Sequence, residues 1–330
     1  MPSKVSVNVA NATPVIVPKP SQFQWRDFVV YIFFAVVLAF FAFTIGDKGF
    51  LTVANLFNIT RTTSMIAIMA IAMTFVIAAG ELDLSIGSSA ALSALVSALV
   101  MTAGYGIFAG IFMGILSGVA VGALNSFFVT VLQIPSFLVT LGSMQLIRGL
   151  DMRLTYTKPV AISEMTFNSM FGTGKIGPVP SLFVWSLVVV IIAHIVLRYT
   201  TFGRQVLATG GNPVAARYSG VPVERIKMYC FLLSGASGAL AGLLYSGMMQ
   251  TARYTFGTGA ELAAIAAVIL GGTSLFGGKA TVIGTFVGAL LIGTINNGLI
   301  IMGLDVSEQM MISGGLIILA VAFGRRPTKN

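Results

Sequence analysis

Charge is too scarce in this chain for water to surround it. Only 9% of its 330 residues are charged, against 56% hydrophobic ones, whereas a soluble domain carries about 25% charged residues. A bilayer removes the difficulty, because apolar side chains can face lipid there while the backbone bonds to itself. The expectation is an all-α integral membrane protein. The 37 glycines fit it as well, since glycine lets membrane helices approach closely. One cysteine, Cys230, lies in an apolar run and has no partner for a disulfide within the chain. The net charge of +9 comes from Lys and Arg that flank apolar runs without forming a dense tract. They read as topology signals and not as a nucleic-acid surface.

The order of apolar and polar stretches divides the chain into a polar tail (1–26), a single transmembrane domain (27–324) and a short basic end (325–330). The tail does not read as a signal peptide, because the apolar run lies too far in and is too long. About ten spans are expected, near 28–45, 65–79, 86–101, 107–132, 137–150, 182–197, 228–249, 261–270, 282–301 and 310–323. The Gln133-Ile-Pro135-Ser136 stretch is a tight turn, since proline removes a donor and restricts its neighbour. Residues 151–181 form the longest polar connection after the tail, and 198–227 a second. The segment at 261–270, bounded by glycines, is too short for a bilayer that takes about 20 helical residues to cross. It and the break at Gly80-Glu-Leu-Asp-Leu-Ser85 have the character of elements packed inside protein or lining a cavity.

An even number of spans puts both termini on one side. With that side cytoplasmic, the inside set is Lys4, Lys19, Arg26, Arg198, Arg204, Arg217, Arg225, Lys227, Lys279, Arg325, Arg326 and Lys329, twelve of the 19 basic residues. This orientation satisfies the positive-inside rule, and the long outside loops weigh little in it. Gly122-Ala-Leu-Asn125 in the fourth span resembles Gly293-Thr-Ile-Asn296 in the ninth. These spans run in opposite directions, which suggests an inverted repeat of spans 2–5 on spans 7–10.

Several chemistries are tested by the residues present. Gly235-Ala-Ser237-Gly238 fits the serine motif of rhomboid-type intramembrane proteases, but the one histidine, His194, precedes the serine where in rhomboids it follows. A serine nucleophile needs a base, and small-residue packing explains the same four residues. One His and one Cys leave no metal cluster to expect. Thr273-Ser-Leu-Phe-Gly277-Gly278-Lys279-Ala280 resembles a phosphate-binding loop but lacks its first glycine and the Ser or Thr after the lysine. Nucleotide, if used, therefore belongs to another subunit. Glu81, Asp83 and Glu261 would be the carriers of an ion-coupled transporter, yet all three sit at breaks or helix ends. Asp83 suits a cap on the helix after it.

Asn125, Asn296 and Asn297 lie within apolar spans, where an amide must find a partner or water. They either bond between helices or line a path for a hydroxylated solute, with Gln145 and Tyr245 as further path candidates. Between the sixth and seventh spans, Asn212 suits a helix N-cap and Pro213 the first helical position. A short helix through Ala215, Ala216 and Arg217, after Gly211 and ending near Gly220, is expected there. It is either a contact element or a plain surface helix.

Three motifs resemble the permeases of monosaccharide ATP-binding cassette importers of the ribose, xylose and galactose type. They are Gly80-Glu-Leu-Asp83-Leu-Ser85-Ile-Gly87-Ser88, Gly211-Asn212-Pro213-Val-Ala-Ala216-Arg217-Tyr-Ser-Gly220-Val221, and Gly259-Ala-Glu261 through Gly271-Gly272-Thr273-Ser274-Leu-Phe-Gly277-Gly278. Gly284-Thr285 and Asn297-Gly298-Leu299 also fit, so the match runs through nearly the whole chain after the tail. The resemblance implies about ten helices in a bacterial inner membrane and a second permease copy, identical or paralogous. It implies two cytoplasmic cassette domains that hold the ATP and Mg, and a sugar-binding protein outside. It makes the 212–220 helix the coupling helix, and it places Asp83, Ser85, Glu261, Gly271 and Gly272 in family signatures without fixing their roles. Related permeases also carry polyols, furanones or nucleosides. An ion-coupled transporter and an intramembrane enzyme are the competing classes.

Overall fold

The computed structural model describes residues 29–324. The expected cytoplasmic tail and basic end, 1–26 and 325–330, lie outside the described residues. The first half runs α1 (Val29–Ile45), α2 (Val53–Ala78), α3 (Ile86–Thr102), α4 (Gly106–Thr130) and α5 (Ser136–Thr155). A structured connection follows, with β1 (Val160–Ala161), α6 (Met165–Asn168), β2 (Lys175–Ile176) and β3 (Val179–Pro180). Then come α7 (Ser181–Tyr199), α8 (Thr201–Gly211), α9 (Pro213–Tyr218), α10 (Val223–Met249), β4 (Thr251–Ala252), α11 (Ala260–Leu270), α12 (Val282–Met302) and α13 (Val306–Gly324).

The ten expected apolar segments fall on α1 to α5, α7 and α10 to α13. Among the described residues, six helices are long and apolar enough to cross a membrane: α1 with the turn after it, α2, α4, α7, α10 and α12. The apolar helices α3 and α11 are shorter.

Several boundaries differ from expectation, and two show the reason. α2 starts at Val53, twelve residues before the expected span, because Thr52 caps it by accepting the Asn55 N–H and its first turns are polar. α5 continues to Thr155, so Asp151 is helical and not the start of a loop. Apolarity marks where lipid lies, while caps and tertiary bonds decide where a helix ends.

α2 and α10 pack against each other at the centre. Both shorter helices and their partners are arranged around this pair in matching fashion. α3 and α4 pack on α10, and α11 and α12 pack on α2. α5 closes over α3 as α13 closes over α11.

Glycine sets how close these helices come. On α4, Gly110, Gly114, Gly118 and Gly122 recur every fourth residue along one face, and a Cβ at Gly118 or Gly122 would strike the carbonyls of Gly235 and Phe231 on α10. This is membrane packing by small residues. The opposite face is left to lipid, with Phe108, Phe112 and Leu116 exposed. Gly235 and Gly238 of the protease-like motif are likewise packed, on Gly118 of α4 and Ile86 of α3.

At one end of the bundle, β1 pairs antiparallel with β4, Val160 opposite Ala252, tying the 156–180 connection to the chain after α10. The other end carries α8 and α9.

Candidate functional site

At the α9 end, the Asn212 side chain accepts the N–H groups of Val214 and Ala215 at 3.1 and 3.0 Å, and Pro213 occupies the first helical position. Such a cap contributes about 1 kcal/mol to a helix, which matters for one of six residues. Gly220 ends the turn at φ +82°, a conformation that costs other residues about 1–2 kcal/mol. Ala216 is buried against the fold, while Val214, Ala215, Arg217 and Tyr218 are exposed. Arg217 forms an ion pair with Glu224 at the start of α10. α9 is thus a short, capped ridge that offers side chains outward.

This ridge is joined to the bundle through backbone. Gly210, at the end of α8, lies where a Cβ would overlap the Ala78 carbonyl of α2. The Gly278 N–H donates to that same carbonyl at 3.1 Å. A Cβ at Gly277 would meet the Gly210 oxygen at 2.7 Å, and one at Gly278 the Gly211 Cα at 2.8 Å. The loop that resembled a phosphate cradle therefore spends its glycines, and the Gly278 amide, on a joint between α8, α2 and the α11–α12 connection. Gly271 serves the same connection, packed on Gly284 and Thr285, and Gly272 turns it at φ +90°.

Above the joint, residues 79–85 run without helix between α2 and α3, and several of their backbone groups find other partners, which matters where water is excluded. The Leu82 N–H donates to Ser136 Oγ at 3.1 Å, and Thr140 Oγ1 donates to the Leu82 carbonyl at 3.3 Å. Lys227 Nζ sits 2.5 Å from Glu81.

Asp83 is 1% exposed. Its Oδ1 accepts from Ser85 N–H at 2.9 Å and Ser85 Oγ at 2.6 Å, and its Oδ2 accepts from Ser234 Oγ of α10 at 2.6 Å. The Asn125 amide of α4 donates to Ser85 Oγ at 2.7 Å, and Ser143 Oγ of α5 donates to Asn125 Oδ1 at 2.5 Å. One chain of bonds thus runs from Ser143 through Asn125 and Ser85 to Asp83, with Ser234 closing from the far side. All five are buried. Three donors converge on one buried carboxyl group and give both of its oxygens a partner. The expected cap on α3 is not formed: Ser85 occupies the N-cap position without a side-chain cap, and its N–H bond to Asp83 lies before the first helical residue, Ile86.

Glu261, at the start of α11, is half-buried and accepts the Gly259 N–H at 3.2 Å. The two breaks touch: a Cβ at Gly87 would collide with the Gly257 carbonyl, and one at Gly257 with the Gly87 carbonyl. Arg148 of α5 donates to the carbonyls of Tyr254 and Phe256, the latter at 3.0 Å, and so fixes the loop before α11. One turn on, Asp151 is fully buried with neither carboxylate oxygen hydrogen-bonded.

A cavity of about 360 Å³ opens above the Gly87–Gly257 contact, between α2, α10 and the start of α11. Of the five expected path residues, Tyr245 lines it. Asn125 is sealed in the polar chain. Asn297 exchanges two amide bonds with Asn55, at 2.9 and 3.0 Å, and so ties α12 to α2. Asn296 accepts from Ser313 of α13 at 3.3 Å, and Gln145 is exposed on α5. Ser143, Ser234 and Arg148 were not singled out from sequence, because a serine on an apolar helix reads as packing and Arg148 as a charge near a span end. Among the described residues no group of three or more His, Cys, Asp or Glu could hold a metal.

Apolar helices, irregular breaks at depth and a projecting ridge at one end define a multi-pass membrane permease. The profile of the family described as "Branched-chain amino acid transport system / permease component" matches residues 55–321, and the chain belongs to that family. It is 40% identical over 281 residues to the ribose import permease protein RbsC of Escherichia coli K12, covering 83% of this chain and 87% of the relative. The L-arabinose ABC transporter permease protein AraH of Azospirillum brasilense is 36% identical over 295 residues, 89% of this chain and 86% of the relative. The D-allose transport system permease protein AlsC of Escherichia coli K12 is 35% identical over 315 residues, 94% and 96% of the two chains. These relatives are sugar permeases and not enzymes, and this chain is a permease of the monosaccharide ABC importer type. No solved structure matches it.

Proposed function

We propose that this chain is the membrane-spanning permease of an ATP-driven importer that carries a monosaccharide, pentose- or hexose-like, inward across a bacterial inner membrane. It crosses ten times, with both termini cytoplasmic and with α2–α5 and α10–α13 as an inverted repeat. It pairs with a second permease copy. Two ATP-binding cassette domains, which hold the ATP and Mg, dock at the α9 end, and a sugar-binding protein docks at the β1–β4 end.

The observation that carries this reading is α9. It is a capped ridge with Val214 and Tyr218 turned outward, backed by a glycine joint to α2 and to the α11–α12 connection. A helix built this way transmits a push, because backbone-to-backbone contacts leave no soft side chain between them. The basic residues Arg198, Arg204, Arg217, Arg225 and Lys227 cluster around the same end, as a cytoplasmic face requires. ATP binding closes the cassettes, draws the two α9 ridges together and turns the path outward, where the binding protein delivers its sugar.

The test is uptake of D-ribose, L-arabinose and D-allose into proteoliposomes holding the chain with its cassettes and binding protein. Uptake is expected only with ATP and cassettes. A Val214→Glu, Tyr218→Ala variant is expected to lose cassette copurification and uptake while the membrane part stays folded. A Gly220→Trp variant should lose transport while the affinity of the binding protein is unchanged. Gradient-driven uptake by the chain alone would overturn the reading.

A further inference from the structure

The cavity between α2, α10 and α11 has no role in what precedes. Its volume of about 360 Å³ lies in the ~300–1,000 Å³ range of small-molecule sites. Its mouth is exposed, at Thr62, Met249 and Thr258, and its floor, at Met69, Ala241 and Phe256, is buried. The floor ends at Gly257, whose backbone is pressed on Gly87. A solute entering from the β1–β4 end thus meets a closed seam of two glycines, with the Asp83 bonds one turn of chain beyond it.

The lining selects a kind of occupant. No charged side chain lines the cavity, so nothing there offsets the cost of desolvating an ion. Tyr245 and Phe256 stand with ring centroids 4.3 Å apart at 51°, giving an aromatic platform with one phenol edge. The methionines Met65, Met69, Met248 and Met249 are unbranched and adaptable, and such side chains accommodate several shapes without demanding one. The threonine hydroxyls at the mouth are already bonded to their own helix or turn, Thr62 to the Asn58 carbonyl at 2.9 Å and Thr258 to that of Thr255 at 2.8 Å. A neutral ring with an apolar C–H face and peripheral hydroxyls matches this: its face stacks on the aromatic pair and its hydroxyls keep water at the mouth. Few fixed polar partners mean weak, undemanding binding, which a solute that must leave again requires.

We propose that this cavity is a low-affinity transit site for one neutral monosaccharide ring, with Tyr245 and Phe256 as its stacking platform. The inference rests on the importer reading above and adds the place where the sugar sits.

Cysteine labelling in the complete transporter tests it. The one native cysteine, Cys230, is buried in α10, and a Cys230→Ser background leaves single introduced cysteines to report. With Met248→Cys, a bulky thiol reagent is expected to cut ATP-driven uptake about tenfold, a loss of about 1.4 kcal/mol in transport, and the transported sugar should slow the labelling. ATPase activity stimulated by the binding protein should persist. Tyr245→Ala should lower uptake about two- to tenfold, the value of an aromatic contact, and Tyr245→Phe should restore it. Complete labelling of Met248→Cys with unchanged uptake, or wild-type uptake by Tyr245→Ala, overturns the cavity assignment alone. Failure of the unlabelled wild-type transporter to import any of the three sugars with ATP overturns the importer reading itself.

Discussion

The two halves of the bundle share a packing plan and differ at their polar centres. In the first half, Asn125 of α4 accepts from Ser143 of α5 at 2.5 Å. In the second, Asn296 of α12 accepts from Ser313 of α13 at 3.3 Å. The break before α3 carries a buried carboxylate with three donors. The break before α11 carries a half-buried one that accepts the Gly259 N–H, and its loop carbonyls are held by Arg148 from the other half. The same scaffold is thus locked on one side of the α2–α10 pair and open to a cavity on the other. The break before α11 has fewer buried side-chain bonds than the break before α3, and an element with fewer such bonds opens at lower free energy.

Removing Asp83 should break this contrast most severely. Asp83→Ala strands three buried donors, each costing about 1–3 kcal/mol when left unsatisfied, against a total stability on the order of 5–15 kcal/mol. The variant is expected not to accumulate as folded protein, read by yield and thermal unfolding in detergent. Glu261→Ala removes a weaker, half-exposed bond and should cost about 1 kcal/mol. Equal losses in the two variants would show that the halves are equally locked. Next in size, Ser234→Ala deletes one donor and the tie between the break and α10, at about 1.5–3 kcal/mol in the same assay.

Much of this frame was legible in the sequence because it rests on local or compositional signals. Scarce charge dictates the bilayer. The Asn212-Pro213 pair writes the start of α9, and the glycines around 257–272 mark the short helix between them. What was hidden is tertiary. Asn55 lies outside the span expected at 65–79, because hydropathy falls at the start of α2, yet it pairs with Asn297 across 242 positions. Asn125 and Asn296 of the four-residue echo each accept from a serine on the next helix, but nothing in four residues says that one is sealed by Ser85 and Asp83. Ser143 and Ser234 could be found only through their partners, since a hydroxyl on an apolar helix has the same size and pattern as a packing residue.

Asp151 sharpens the comparison from another side. Its carboxylate is buried in α5 without a hydrogen bond, while the nearby Arg148 is spent on the carbonyls of Tyr254 and Phe256. A buried carboxyl group without hydrogen-bond partners costs more than an apolar group of like volume. Asp151→Leu is therefore expected to raise thermal stability by about 1–3 kcal/mol, with the Arg148 bonds intact. A destabilised variant would mean that Asp151 holds Arg148 in place, and the lock would then extend one turn further along α5.

The smallest effects are the most direct comparison, because the same substitution can be made in both halves. Ser143→Ala leaves the fully buried Asn125 oxygen without its donor and should cost about 1–3 kcal/mol. Ser313→Ala lengthens no network: Asn296 is half-buried and its bond is long, so the loss should be near the ~0.6 kcal/mol average for hydrogen bonds between membrane helices. Both are read as shifts in thermal midpoint in one detergent, which cancels the reference state. If Ser313→Ala proves the costlier of the two, the second half holds the tighter centre, and the contrast between the halves reverses.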